Sequence, residues 1–297
     1  MSRPFDPLIV GVLAVAVLGV GTSGPLIAYA AAPALAIAFW RTALALGVLG
    51  PAALTHRRHE VAALLRRGDA ARASLLAGVA LAAHFGTWVP SVTLTTVATA
   101  TALVATQPVW QGLLARAQGR RLPARVWVGI VLAVAGAVWA TGADVTFSAR
   151  AVAGDLLALA GGMLSAVYMA AGERARATTS TTAYTTVCYT VCAVVLGLIC
   201  LVARTPMAGY DATAWLAIAG LVVGPQLLGH TLFNYALRKV PATTVSVLIL
   251  LEVPVASLIA WLWLGQLPRP TALPGLLLLL AGVAAVVVRR PSRPAVP

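Results

Sequence analysis

Two ionisable side chains lie inside long apolar stretches of this sequence, where a charge is costly to bury and functional residues concentrate. Glu252 is the only carboxylate well inside such a stretch, and Arg41 is the only cation. A carboxylate there can carry a coupling proton or cation, bind a substrate ammonium, or stay protonated and bond to a backbone carbonyl. The guanidinium can hold a substrate carboxylate, pair with Glu252 or another carboxylate, or extend to the membrane interface.

Further polar residues recur at helical spacing. Gln226, His230 and Asn234 follow one another at i, i+4 and i+8, so a regular helix places them on one face, which we expect to point into the protein. His84 and His230 are candidates for a proton relay or for hydrogen bonds between helices. The other candidates for the walls and polar lining of a cavity are Trp88, Tyr168, Gln107 and Gln111.

Two prolines suggest how a site forms around Glu252. Pro108 and Pro254 each remove one helical hydrogen bond, so the carbonyls of Val104 and Leu250 are expected to lose their usual donor. Irregular backbone at membrane depth is tolerated where it lines a cavity. We therefore predict helix kinks at both prolines and a site near the middle of the membrane.

Membrane-spanning helices must position these residues. Of the 297 residues, 60% are hydrophobic and 10% are charged, whereas soluble domains carry about 25% charged residues. The apolar runs are long enough to cross a bilayer as helices, so we predict an all-α polytopic membrane protein. Its ten predicted spans are residues 8–28, 33–54, 74–92, 96–115, 126–143, 153–172, 182–203, 212–236, 242–264 and 271–288.

Basic residues predict the orientation of these spans. They fill the N-terminus, the loops after spans 2, 4, 6 and 8, and the C-terminus, whereas the opposite side holds Arg150, Arg204 and Arg269. Lys and Arg accumulate in cytoplasmic loops. We therefore predict a multi-pass protein of the plasma (inner) membrane with both termini in the cytoplasm. The formal charge of +13 then reflects topology, and we predict no nucleic-acid partner.

Motifs for catalysis and cofactor binding do not fit this sequence. The segment GVGTSG, residues 19–24, matches a dinucleotide-binding glycine pattern but ends an apolar span instead of joining a strand to a helix. Cys188, Cys192 and Cys200 share one span without a CxxC pattern, which favours a packing role. We predict no cofactor, no resident metal and no catalytic residue.

The sequence repeats itself at an offset of 146 residues. LAAHFGTW then aligns with LLGHTLFN, and ATQPVWQG aligns with LLEVPVAS. The matched positions are His84 with His230, Pro108 with Pro254, Gly119 with Gly265, and Ala135-Gly136 with Ala281-Gly282. We predict one five-helix repeat in residues 1–146 and a second in residues 147–297. Because five is odd, the second repeat is inverted in the membrane, as in many secondary transporters.

The sequence resembles the EamA type of the drug/metabolite transporter superfamily. The resemblance covers the whole chain and is carried by AFWRTALAL, ALAAHFGTW, and GPQLLGHTLFNYALRKVPATTVSVLILLEVPVASLIAWLWLGQ. It implies ten helices, a substrate cavity between two halves, and export of amino acids, metabolites or drugs. Two positions depart from the family pattern: Val253 separates Glu252 from Pro254, and Gly265-Gln266 replaces a common Gly-Glu.

The pattern and the resemblance together favour a secondary active transporter that exports small organic solutes by alternating access, with proton coupling as an open hypothesis. The alternative is a membrane-embedded enzyme acting on lipid or isoprenoid substrates, and a third option is a passive channel or scaffold. Polar groups that sit inside the spans and follow the repeat favour transport. The expected partners are a small-molecule substrate, the lipid bilayer and protons; the sequence leaves the oligomeric state unknown.

Overall fold

A computed structural model describes residues 6–66, 68–142, 148–264 and 270–287. The aligned pair Gly265-Gln266 and the outer-side Arg269, on which parts of the sequence analysis rest, lie outside these ranges. The basic residues before residue 6 and after residue 287 lie outside them as well.

The described residues form a bundle of helices and contain no strand, which confirms the predicted all-helical class. Ser148, Ser180 and Asp211 each begin a long helix by accepting the backbone N–H three residues ahead. In chain order the elements are α1 Pro7–Gly21, α2 Ser23–Tyr29, α3 Ala34–His56, α4 Arg58–Arg66, α5 Gly68–Leu94, α6 Val97–Val104, α7 Gln107–Ala117, α8 Ala124–Thr141, α9 Ala149–Arg176, α10 Thr181–Val202, α11 Ala212–Leu221, a π-helix Val222–His230, α12 Thr231–Ala236, α13 Ala242–Ile249, α14 Glu252–Leu264, a 3₁₀ turn Pro270–Ala272 and α15 Leu273–Val287.

Within the described ranges, nine helical segments are long and apolar enough to cross a membrane. They correspond to nine of the ten predicted spans, and large apolar side chains such as Leu198, Leu216 and Leu277 cover their outer surface. The remaining predicted span, residues 96–115, is divided into α6 and α7, each too short to cross alone. The protein is therefore a multi-pass membrane protein, while the count of ten stays a prediction.

Two of the spans are broken at matching places in the repeat. The first break separates α6 from α7 at Ala105–Thr106, and the second separates α13 from α14 at Leu250–Leu251. Pro108 lies in the first turn of α7, and Pro254 lies in the first turn of α14. A proline is tolerated in a first helical turn, where the lost N–H has no intrahelical partner.

The expected freeing of the Leu250 carbonyl by Pro254 is wrong. This carbonyl accepts the backbone N–H of Val253 at 3.1 Å, since the chain tightens to a three-residue turn at the break. The Leu250 carbonyl thus keeps a backbone hydrogen bond at the break, and the polar character of the break comes from the side chain of Glu252.

The regular helix expected for residues 212–236 is also interrupted. Residues Val222–His230 form a π-helix that contains Pro225, which cannot donate to the helical ladder. Gly19 of α1 lies against this segment, so that a Cβ built on Gly19 would come within 2.7 Å of the Gly224 carbonyl oxygen. Gly19 of the GVGTSG segment therefore packs against the π-helix, whereas Gly21 packs against Val255 of α14.

α8 and α15 pack antiparallel through two pairs of glycines. A Cβ built on Gly129 would lie 2.8 Å from the Gly282 carbonyl oxygen, and one on Gly136 would lie 2.6 Å from that of Gly275. The reverse approaches are equally close, at 2.6 Å for Gly282 and 2.9 Å for Gly275. Each glycine permits a backbone contact that any side chain would prevent.

The rest of the bundle is arranged in matching pairs. α5 packs along α9, the π-helix and α12 pack along α1, and α3 packs along α10. One large apolar core lies among these helices, and a smaller one lies between α8, α15 and the broken span α13–α14.

The two ends of the bundle carry different kinds of polar contact. At one end, Lys239 Nζ lies 2.9 Å from Asp6 Oδ2, and Arg120 makes two 2.9 Å hydrogen bonds to the Glu173 carboxylate. At the other end, side chains donate to backbone carbonyls: Trp40 to Met207, Arg150 to Thr93, and Trp139 to Thr271. The first end carries the loops whose basic residues predict a cytoplasmic location.

Candidate functional site

A small polar cavity lies inside the bundle and is lined by both halves of the chain. It contains about 60 Å³ of space that water can reach, room for a few water molecules. Its lining residues are Val20, Ser23, Arg41, His84, Phe85, Trp88, Val104, Gln107, Ser165, Pro225, His230, Phe233, Ile249 and Glu252. Ligand pockets usually hold about 300–1,000 Å³, so this cavity has to widen before it accepts an organic solute.

Arg41 enters the cavity from α3, and only 1% of its surface is exposed. Its guanidinium carbon lies 4.2 Å from the centre of the Phe85 ring, a cation–π contact. Its Nε donates to Gln226 Oε1 at 3.1 Å, whereas Nη1 and Nη2 are buried without a hydrogen-bond partner. The side chain does not extend to the interface, and it has no ion pair with a described carboxylate.

Gln226 supports Arg41 from the π-helix. Its backbone carbonyl accepts the Thr231 hydroxyl at 3.1 Å, and the Thr231 Oγ1 lies 3.0 Å from the Tyr189 hydroxyl of α10. Gln226 itself is completely buried. The π-helix thus offers a carbonyl that side chains on two helices fix in place, and the Gln226 side chain is free to hold Arg41.

The repeat-related histidines face each other across the cavity. The ring centres of His84 and His230 are 6.4 Å apart. His84 donates from Nδ1 to the Gly161 carbonyl of α9 at 2.8 Å, and Trp88 stacks on its ring at 6.1 Å. A carbonyl can only accept, so the other nitrogen of His84 is left as the acceptor when the ring is neutral.

His230 is held differently from His84. Its ring contacts Phe85 at 5.2 Å and Tyr168 at 5.8 Å between ring centres. No described residue forms a hydrogen bond with it, and it is half-buried on the cavity wall. His84 is therefore fixed by the backbone of a neighbouring helix, while both nitrogens of His230 remain free to act.

Glu252 is the first residue of α14, directly after the break in its span. Its side chain is half-buried, lines the cavity, and has no hydrogen bond to any described residue. The alternative in which a protonated Glu252 donates to a backbone carbonyl of a neighbouring helix therefore finds no support in the described residues. The break instead presents the carboxyl group to the space that Arg41 also reaches.

Two more hydrogen-bond donors on the cavity wall lack an acceptor. Trp88 Nε1 and Gln107 Nε2 are buried and unpartnered. Trp88 lies one turn after His84 on α5, and Gln107 opens α7 after the other helix break. Trp88 thus reaches the cavity because it shares a helix face with His84. Gln107 reaches it because it follows the break between α6 and α7.

Four of the sequence-predicted candidates lie outside the cavity wall: Gln226, Asn234, Tyr168 and Gln111. The Tyr168 hydroxyl donates to Asn234 Oδ1 at 2.9 Å, a buried bond that joins α9 to α12. Gln111 is completely buried on α7, and both polar atoms of its amide lack a partner. None of the four faces the lipid, but only Gln226 touches a cavity residue by a hydrogen bond.

Sequence reasoning missed several contributors to the wall, among them Phe85 and Ser165. Phe85 supplies the ring beneath Arg41, and Ser165 of α9 adds a hydroxyl. Phe85 carries no signal in the sequence, because an aromatic residue among apolar ones is usual in any membrane helix. Its position directly after His84 was the one available clue.

The sequence matches the EamA-like transporter family twice, over residues 7–142 and 152–288. The chain belongs to the EamA-like transporter family. The two matches cover most of the chain and meet between α8 and α9, so the family domain is present in two copies. Membership points to a transporter and not to an enzyme.

Two similar proteins agree with this family assignment. A protein from Streptantibioticus cattleyicolor named "Probable terminal-alkyne amino-acid exporter" is 29% identical over 196 residues, which span 63% of each chain. A solved crystal structure has the same fold, with a TM-score of 0.78 and 19% identity over 94% of this chain and 96% of its own. The name of the first protein describes that protein, and the second likeness shows the fold alone.

Proposed function

We propose that this EamA-family protein is a secondary active exporter of small organic solutes, amino acids among them. The polar cavity is the main support for this proposal, because both copies of the family domain contribute to its wall and several of its polar groups lack partners among the described residues. A solute bound there would be enclosed by both halves. Movement of one half against the other would then expose it to each side of the membrane in turn.

The contacts between α8 and α15 support an inverted relation between the halves. Gly129 and Gly275 are equivalent in the repeat, as are Gly136 and Gly282, and each pair member contacts the member of the other pair. Such reciprocal contacts are typical of a two-fold interface. Because the two helices are antiparallel, a two-fold axis that exchanges them lies across them, in the plane of the membrane.

The two helix breaks support the same mechanism. Transporters of this kind often bind their substrates where discontinuous helices meet near the middle of the membrane. Here one break presents Gln107 to the cavity, and the other presents Glu252. We assign to Glu252 the uptake and release of a coupling proton, because it is a cavity carboxylate without a fixed partner.

The predicted orientation in the plasma membrane is part of this proposal. The two ion pairs, Lys239–Asp6 and Arg120–Glu173, lie at the end predicted as cytoplasmic, and each joins the first predicted repeat, residues 1–146, to the second. Breaking them would allow the halves to separate at that end. The closed ion pairs support a state in which the two halves are held together at the end predicted as cytoplasmic.

A transport assay tests the proposed function directly. The purified protein is reconstituted into liposomes, and uptake and efflux of an amino-acid, metabolite and drug library are measured with and without a proton gradient. We expect saturable transport of at least one compound class and accumulation that needs the gradient. Protein-free liposomes are the control. Transport that is absent for every compound, or that is linear in concentration as through a pore, would contradict the proposal.

A further inference from the structure

Among the described residues, the four fully buried polar atoms on the cavity wall that lack a partner are all hydrogen-bond donors. Arg41 Nη1 and Nη2 and Trp88 Nε1 are buried, lack partners, and can only donate hydrogen bonds. Gln107 contributes the unpartnered Nε2 of its amide. A buried donor without an acceptor loses its hydration and gains nothing in return. These four buried donors therefore lack acceptors even though Glu252 lines the same cavity, and a ligand rich in acceptor oxygens would complete them.

The charge in the cavity points the same way. Arg41 is buried, and its only hydrogen-bond partner among the described residues is the uncharged amide of Gln226. The ion pairs of the described residues all lie elsewhere, at Arg57–Glu60, Arg120–Glu173 and Lys239–Asp6. A buried charge without a counter-ion is strongly unfavourable. An anionic group on the ligand would relieve that cost.

The geometry of Arg41 favours one class of anion. Gln226 takes up Nε, so the Nη1–Nη2 edge of the planar guanidinium is the part left free. This edge can donate two parallel hydrogen bonds, which match the two oxygens of a carboxylate. The cavity is small and has one such cation, which suits a single carboxylate better than a highly charged group.

We propose that this exporter selects its substrates by a carboxylate group, which Arg41 binds through Nη1 and Nη2, with Trp88 and Gln107 as further donors. The inference rests on the proposed function, because it takes the polar cavity as the transport site. Gln226 acts as a positioning residue, since it fixes the guanidinium through Nε. The substrate class is then small carboxylic acids, amino acids included, and excludes amines and neutral solutes that lack the carboxylate.

Matched compounds test this selection without any mutation. Exchange of radiolabelled compounds across proteoliposomes is measured for leucine, for 4-methylpentanoic acid, which lacks the amine, and for 3-methylbutan-1-amine, which lacks the carboxylate. A terminal-alkyne set, 2-aminopent-4-ynoic acid, pent-4-ynoic acid and but-3-yn-1-amine, is run in parallel. We expect exchange in at least one set for compounds with a carboxylate and none for the amines.

The outcomes separate the inference from the proposed function. Exchange of an amine at the rate of its parent amino acid would overturn the carboxylate rule while leaving transport intact. Exchange of only carboxylate-free compounds from the wider library would do the same. Absence of exchange for every compound would instead remove the proposed function itself.

Variants test the assignment to Arg41. Arg41→Gln should raise the KM for the carboxylate substrate about 30-fold or more, as expected for loss of one partner of a buried charged hydrogen bond. Arg41→Lys should recover part of the affinity, because it restores charge without the paired donors. Arg176→Gln is the matched control: Arg176 is equally buried, but it bonds to the Asn234 carbonyl away from the cavity.

Gln226→Glu gives a second test that does not depend on removing Arg41. The new carboxylate would lie where Oε1 now accepts from Arg41 Nε, so it would satisfy the guanidinium internally. We expect the carboxylate substrate to lose affinity, while protein amount and melting temperature stay near those of the wild type. An unchanged KM in both Arg41→Gln and Gln226→Glu would show that Arg41 does not bind substrate.

Discussion

The two broken spans occupy equivalent positions in the two domain copies, yet they carry different chemistry. At the first break, Thr106 donates to the Leu103 carbonyl of its own turn at 2.6 Å and accepts from Trp110. At the equivalent place in the second copy, Glu252 turns away from the backbone and lines the cavity without a partner. The Thr106 side chain is thus satisfied within its own span, whereas the Glu252 side chain is left open to the cavity. The fold and the histidine pair repeat, but the carboxyl group does not.

Arg41 shows the same asymmetry from the other half. The position equivalent to Arg41 in the second copy is Val187, an apolar residue of α10. Each copy therefore supplies one of the two charged side chains of the cavity. In the proposed function, the duplicated fold would provide two halves that move against each other, and the differences between them would provide the substrate and proton chemistry.

The largest effect is expected at Glu252. Glu252→Gln keeps the shape of the side chain but cannot ionise, so proton-driven accumulation should be lost completely while exchange between equal pools continues. Thr106→Ala, the change at the equivalent position, should leave both activities near those of the wild type. Proteoliposome transport with and without a proton gradient measures both. If Glu252→Gln still accumulates substrate at the wild-type rate, the coupling group lies elsewhere.

Alanine substitutions in the glycine seam, the contacts of Gly129, Gly136, Gly275 and Gly282 between α8 and α15, should destabilise the protein equally in both copies. In Gly136→Ala the new Cβ would lie 2.3 Å from the Leu279 backbone nitrogen, and in Gly282→Ala it would lie 2.3 Å from that of Ala133. Backbone cannot yield as a side chain does, so each variant should lower the free energy of unfolding by about 1–3 kcal/mol. Thermal unfolding in nanodiscs measures the loss.

Gly47→Ala is the matched control for this seam. Gly47 lies inside α3 with no heavy atom within 4 Å of a built Cβ. Alanine is the better helix former by about 1 kcal/mol, so this variant should be as stable as the wild type or more so. A large loss for Gly136→Ala beside none for Gly282→Ala would break the symmetric interpretation of the interface.

Substitution of each histidine in turn should distinguish a structural role for His84 from a functional role for His230. His84→Leu removes the donor to the buried Gly161 carbonyl, so it should cost about 1–3 kcal/mol of folding stability. His230→Leu removes no hydrogen bond to a described residue and should stay within about 1 kcal/mol of the wild type. We expect His230→Leu to change the KM instead. Equal melting temperatures for the two variants would contradict the different roles assigned to these residues.

The sequence predicted the spans well because apolar length and turn residues are local properties. Pro108 and Pro254 likewise predicted where two helices break, since a proline limits the backbone wherever it lies. The π-helix at Val222–His230 could not be predicted in this way. It depends on Pro225 together with the close approach of Gly19, about 200 residues earlier in the chain.

The candidate site could be predicted only in part, because it too depends on contacts between residues that are distant in the sequence. Repetition singled out His84 and His230, and rarity singled out Arg41 and Glu252. The bond from Arg41 to Gln226 joins residues 185 positions apart, and nothing in either neighbourhood signals the other. Asn234 lies at the right helical spacing, yet it bonds to Tyr168, because the π-helix and the packing of α9 decide which way each side chain points.

The smallest effect is expected at the ion pairs that join the two copies at one end. The hydrogen bond from Lys239, together with the Leu8 backbone N–H, holds the pKa of the Asp6 carboxyl below its ordinary value. This stabilisation is present above the ordinary carboxyl pKa and is lost as the pH falls through the lowered one. Asp6→Asn retains a good helix cap but removes the charge. The melting temperature of the variant should therefore lie slightly below that of the wild type at neutral pH, and the two should converge in acid.

The second ion pair, Arg120–Glu173, has two hydrogen bonds and is more buried. Glu173→Gln should therefore lower the melting temperature more than Asp6→Asn does. If Asp6→Asn melts below the wild type by the same margin in acid as at neutral pH, the loss does not come from the ion pair, and the ion pair does not hold the two copies together.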